Sequence, residues 1–190
     1  MPKSIITNST ALREDRLKAA KYFLNNPKDF EQLLRFTFDT SFVFHYKAAW
    51  ILEFVLANNF ALLYPHLDFF ADSLSKLHND SAIRPVAKIC NKLAIAYVKV
   101  QNPDLKNNLS TVHIELMVNA SFDWLIGQFR SAPKVYAMET LYYFGSLDKK
   151  SNWIHEALED IIRKNIHTSS KSYQSRGKKI LQFLQKNREK

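Results

Sequence analysis

Apolar residues recur at helical spacing along almost the whole chain, and every apolar segment either shows that spacing or is too long for a strand. Leu12, Leu17, Ala20 and Leu24 share one side of a helix predicted over residues 10–25, with Ser9 or Thr10 placed to cap its free N–H groups. Pro27 breaks that helix and opens a second, 27–38, whose Phe30, Leu33, Leu34 and Phe38 lie on one face. Residues 42–57 are apolar nearly all round, interrupted only by His45, Lys47 and Glu53. A helix of that kind has to be covered on most sides. Asn58 and Asn59 end it. Further helices are predicted over 65–77, 81–100, 110–129, 134–144, 151–165 and 173–187. Pro65 suits a first turn, residues 78–81 (His-Asn-Asp-Ser) a turn and cap, and Pro85 is near enough to a helix start to be tolerated or to bend it. Residues 101–108, with Pro103 and two adjacent asparagines, read as a loop, 131–133 (Ser-Ala-Pro) as a break and 168–170 as the last polar connector. Nine helices with mostly short connections make sequential neighbours antiparallel, so the predicted class is all-α.

Four of these helices open alike: Tyr46-Lys47-Ala48-Ala49-Trp50-Ile51-Leu52, Arg84-Pro85-Val86-Ala87-Lys88-Ile89-Cys90, Val135-Tyr136-Ala137-Met138-Glu139-Thr140-Leu141 and Ser175-Arg176-Gly177-Lys178-Lys179-Ile180-Leu181. Each sets a small residue early and apolar residues three or four positions later. The small residues Ala48, Ala87, Ala137 and Gly177 are 39, 50 and 40 apart, and small side chains let helices approach closely. A period near 40 with two helices per unit is similar to HEAT repeats. That resemblance implies one domain over residues 1–190, a right-handed α-α superhelix of about four antiparallel helix pairs plus a C-terminal helix, HEAT- or armadillo-like. The 50-residue step needs an enlarged loop, which 101–108 can supply. An ordinary helical bundle is the alternative. The segment from Phe122-Asp123-Trp124-Leu125 through Ala137–Leu141 to Ser175–Lys179 also resembles small bacterial HEAT-like proteins of unassigned role. Some of these are called adenylosuccinate lyases, but the Ser-Ser-x-Met-Pro-x-Lys-x-Asn loop of that superfamily is absent here.

Composition agrees with helices. There are three glycines, where average usage of about 7% would give roughly a dozen. So few left-handed positions leave little scope for hairpins or phosphate-cradling loops. Cys90 is the single cysteine, which rules out an intrachain disulfide and suits a reducing compartment. It lies in an apolar stretch and reads as a small hydrophobe, with a reactive thiol as the alternative. No apolar run exceeds six residues, far short of a membrane span, and no targeting signal is visible, so the expectation is a soluble, cytoplasmic protein without membrane association.

Charge changes the picture most. The formal net charge is +9, and residues 163–190 hold nine basic residues against one acidic, Glu189. Lys171, Arg176, Lys178 and Lys179, followed by Lys186, Arg188 and Lys190, make the C-terminal end the candidate polyanion-binding surface. A solvated terminal helix closing the repeat is the competing reading. A HEAT-like family of alkylpurine DNA glycosylases lines a basic groove with tryptophans and an aspartate. Trp50, Trp124, Trp153 and Asp123 raise that resemblance, but the family places a tryptophan one helical turn before the aspartate, where this chain has Asn119, and Trp124 reads as core beside Phe122, Leu125 and Phe129.

Nothing favours other chemistry. No two of the six histidines (His45, His66, His78, His113, His155, His167) stand three or four apart, so none pair on a helical face as metal ligands do, and most read as surface positions. G-x-S-x-G and H-E-x-x-H are absent. Glu156, Glu159 and Asp160 could serve acid–base or cation chemistry, yet Arg163 and Lys164 follow at pairing distance. The expectation is therefore a non-catalytic module that binds another protein through the groove of the solenoid, with no cofactor and no metal. The alternative is a nucleic-acid binder using its basic C-terminal surface.

Overall fold

In the computed structural model, which describes residues 1–188, the chain is all-helical, with eleven α-helices and no strand among the described residues. It forms two compact units, Met1–Ile89 and Cys90–Lys190.

The first unit begins with α1 (Pro2–Asn8), α2 (Arg13–Asn25) and α3 (Phe30–Phe38), the last entered through a 3-10 turn at Pro27–Asp29. α4 (His45–Asn58) packs against α2 and α3 and touches α1. Its Ala48, Ala49, Ile51, Leu52, Val55 and Leu56 are all buried, as an all-round apolar helix demands. Asn59 then caps a 3-10 segment, Phe60–His66, by accepting from the Ala61 N–H at 3.1 Å. α5 (Leu67–Ser73) follows, and Asn79 starts α6 (Asp80–Ala94) by accepting from the Ser81 N–H at 2.8 Å. Pro85 lies inside α6 and, lacking an N–H, cannot bond the carbonyl of Ser81 one turn back. That carbonyl accepts instead from Trp50 Nε1 of α4 at 2.9 Å. Lys88 of α6 meets the nearly buried Glu53 of α4 at 2.5 Å, a second polar tie between the same helices.

In the second unit, α6 passes into one turn of π-helix, Ile95–Lys99. The stop comes at Gln101, which adopts φ 57°, a left-handed conformation usually left to glycine. Asn102 then caps α7 (Pro103–Asn108) by accepting from the Leu105 N–H at 2.9 Å. Ser110 and His113 form a reciprocal cap at the head of α8 (Thr111–Ile126). α9 (Ser131–Gly145) packs against α8, α10 (Asn152–Asn165) and α11 (Lys171–Arg188), and its Ala137, Met138, Leu141 and Phe144 are fully buried.

The differences from the sequence reading have local causes. α1 and α7 hold seven and six residues, too few for periodicity to register. The helix expected over 65–77 starts as 3-10 helix at Phe60, with Pro65 inside it. Residues 131–133 open α9 rather than break the chain, because Pro133 sits in the first turn, where its missing N–H is no loss. All four small residues of the repeated openings are buried. At Gly177 a Cβ would lie 3.0 Å from Ile162 Cγ2 of α10, so α11 and α10 approach as closely as a bare Cα permits.

Candidate functional site

Of the groups that the sequence raises for covalent or acid–base chemistry, Cys90 is buried and Glu159 is paired, while Glu156 and Asp160 stand exposed on the same helix. Cys90 is buried, and burial pushes its thiol far above the ordinary range, so it does not ionise at neutral pH. Glu159 accepts from Arg163 Nη2 and Nε at 2.8 and 2.9 Å. Ser146 Oγ stands 3.4 Å from His155 Nε2, a separation that invites a nucleophile–base reading. The same nitrogen lies 2.8 Å from the Tyr142 carbonyl, which can only accept. Nε2 therefore carries the proton and has no lone pair for the serine. Among the described residues no three His, Cys, Asp or Glu side chains converge as a metal site needs.

The histidines depart from the surface reading. His45 and His113 are buried, His66 and His155 partly covered, and His78 and His167 exposed. His113 works as a helix cap and His155 packs flat on Tyr142, with ring centroids 5.6 Å apart. At the positions that raised the glycosylase resemblance, Asn119 and Asp123 are exposed, while Trp124 is 2% exposed and part of the core.

The C-terminal basic residues fall into two groups. Arg176 forms an ion pair with Glu139 of α9, which ties its charge inside the unit. Lys171, Lys178 and Lys179 are exposed, with the Lys179 ammonium 5.6 Å from the centre of the Phe183 ring. They stand on the outer side of α11 because Tyr173, Gly177, Ile180 and Leu184, at spacings of four, three and four, turn inward. Glu189 and Lys190 lie outside the described residues.

Sequence reading missed a second surface. α8, the end of α9 and the start of α10 enclose a cleft of about 460 Å³. Ile114, Val118 and Phe144 floor it, and Glu115, Asn119 and Asp148 belong to its polar lining. At its mouth Trp153 is 53% exposed and stacks on Phe122 of α8, centroids 5.7 Å apart and planes 23° from parallel. Val112 and Ile126, 60% and 63% exposed, stand on the same side of α8 as Glu115, Asn119 and Phe122, giving a row about 21 Å long at 1.5 Å per residue. Apolar side chains surround α8 in sequence, so only its neighbours determine which stay uncovered. The one signal available was Trp153 itself, a tryptophan at the polar start of a predicted helix.

Asp148 shapes the rim. Its carboxylate accepts from the Ser151 N–H at 2.9 Å and from the Ser151 hydroxyl at 3.0 Å, fixing the turn that delivers Trp153. A third region, a cavity of about 400 Å³ beside α1 and α2, contains the buried Ser9 hydroxyl, which has no hydrogen-bond partner, next to Lys18 and Tyr22. No family model, no curated protein and no solved structure matches this chain.

Proposed function

We propose that this chain is a non-catalytic interaction module, a HEAT-like right-handed superhelix of antiparallel helix pairs, whose cleft beside α8 and α10 receives an amphipathic helix of a partner protein. One observation carries the reading. A half-exposed tryptophan is stacked in place at the mouth of an apolar-floored, polar-rimmed cleft. Tryptophan is the residue type that most often anchors protein interfaces, and here its ring is held by Phe122 before anything binds. The row from Val112 to Ile126 has the length of about four helical turns. Partners of that kind insert side chains at i, i+3, i+4 and i+7 into such grooves. The charged groups of the lining are Glu115, Asp148 and Lys150, and their net negative charge favours a partner helix with basic residues flanking its apolar stripe.

The contribution of Trp153 can be sized. Covering the exposed half of the indole removes about 100 Å² from water, worth about 2–3 kcal/mol at 25 cal/mol/Å². A displayed library of amphipathic helical peptides, selected on the full chain and counter-screened on Trp153→Ala, tests the reading. Enriched peptides should share an apolar stripe with basic flanks and bind the variant about tenfold to a hundredfold more weakly. A selection without enrichment, or peptides indifferent to Trp153→Ala, would refute it.

A further inference from the structure

We propose that the outer face of α11 binds the phosphate backbone of duplex nucleic acid, without reading its sequence. This is independent of the cleft. The exposed side of α11 carries Lys171, Lys178, Lys179 and Lys186, with Ser175, Gln182 and Gln185 between them. Over the 18 residues of α11 there is no acidic side chain at all. A helix exposed merely for solubility gains from mixed charge, because acid–base pairs three or four residues apart stabilise it. α10 next to it follows that rule with its Glu159–Arg163 pair. None of the four lysines is in an ion pair among the described residues, whereas Arg176, on the covered side, is neutralised by Glu139. Free positive charge is thus confined to the outward face.

The start of α11 sharpens the point. Lys171 is its first residue, and no acid stands in its first turn. The amide dipoles make that end of a helix positive, so a lysine there is disfavoured. Lys186, in the last turns, needs no such account, since the dipole favours it. The four lysines span about 22 Å at 1.5 Å per residue, and duplex DNA offers one phosphate charge per about 1.7 Å of axis. Lysine neutralises phosphate as a point charge and carries little base information, which makes the binding sequence-independent.

Two alternatives are weaker on the same observations. An amphipathic helix that enters a lipid surface needs a free apolar face, but Tyr173, Gly177, Ile180 and Leu184 are buried within the unit. Single strands are held by stacking on exposed aromatic rings, and this face has none beyond the partly covered Phe183 beneath Lys179.

The test uses the full chain and a fluorescent 20-base-pair duplex of arbitrary sequence, read by polarisation from 50 to 200 mM salt. Four phosphate contacts predict a slope of log K against log salt of about −3.6, or a loss of about a hundredfold across that range. K171Q/K178Q/K179Q/K186Q should abolish binding with its circular dichroism unchanged. K18Q/K21Q/K28Q/K76Q, which removes the same charge from exposed lysines of the first unit, should retain it. Trp153→Ala should also retain it, which separates this surface from the cleft. No binding at 50 mM salt would overturn the proposal, as would equal loss in both quadruple variants. Tighter binding to anionic phospholipid vesicles or to single strands than to the duplex would overturn it as well.

Discussion

Pro85 and Trp50 allow the first unit's packing to be tested as a coupled pair. Because Pro85 leaves the Ser81 carbonyl without its helical donor, the indole N–H of Trp50 is that carbonyl's hydrogen-bond partner at 2.9 Å. Trp50→Phe removes the donor and part of the ring. The lost hydrogen bond should cost about 0.5–1.5 kcal/mol. The smaller ring adds a packing loss, since Trp50 lies edge-on to Tyr46 at 5.0 Å and beneath the Arg16 guanidinium at 5.6 Å. The two losses separate in a cycle with Pro85→Ala. Alanine restores an N–H one turn beyond Ser81, so in that background the carbonyl keeps a donor when the indole goes. The packing loss is common to both backgrounds and cancels. The predicted coupling is about 0.5–1 kcal/mol, with Trp50→Phe costing less in the alanine background. Urea denaturation followed by far-ultraviolet circular dichroism, which does not depend on Trp50 as a probe, measures it. An equal cost of Trp50→Phe in both backgrounds would show that the indole does not replace the missing helical bond.

Three further outcomes follow from single features. Gln101→Gly should raise stability by about 0.5–1 kcal/mol in the same assay, because the relief of a left-handed φ of 57° outweighs glycine's extra unfolded-state entropy; a loss would mean that the glutamine side chain matters more than the strain. Tyr173→Phe should stabilise by about 1 kcal/mol, since its buried hydroxyl has no partner and burial already pushes its pKa up; a lower melting temperature would contradict that. Arg35, by hydrogen bond and charge, holds the Glu31 carboxyl below its ordinary range, and hydrogen bonds from Ser41 do the same for Asp39. Groups with depressed folded values stabilise fully above the unfolded carboxylate pKa of about 4 and lose that stabilisation as pH falls through the folded value. The melting-temperature advantage of the native chain over E31Q/D39N should therefore be constant from pH 7 to 5 and vanish toward pH 2, and an advantage that persists there would refute the assignment.

Helix type and burial were legible in the sequence because they rest on local periodicity. The pattern of 42–57 demanded cover on most sides, and α4 buries eight of its residues. Ala48, Ala87, Ala137 and Gly177 could be found by their spacing, and each is buried. Short helices escaped because α1 and α7 are shorter than the two turns needed to display a period. The surfaces were legible only in part. Charge counting located the basic end, but Arg176 and Lys178 look alike in sequence, and only α9 decides that Glu139 neutralises the first. Trp153 and Trp124 were equally apolar letters, yet one is core and the other stands open on Phe122. Both distinctions come from contacts between helices more than 25 residues apart, which local spacing does not encode.

The three indole N–H signals provide the most direct measurement of the central claim, that this chain works by binding a partner helix at the cleft. In a proton–nitrogen spectrum of the full chain titrated with a helical peptide selected as above, the Trp153 signal should shift on binding. Trp50, in the first unit and bonded to Ser81, and Trp124, buried in the core, should hold still. A bound peptide that leaves Trp153 unmoved while shifting either of the others would contradict the account.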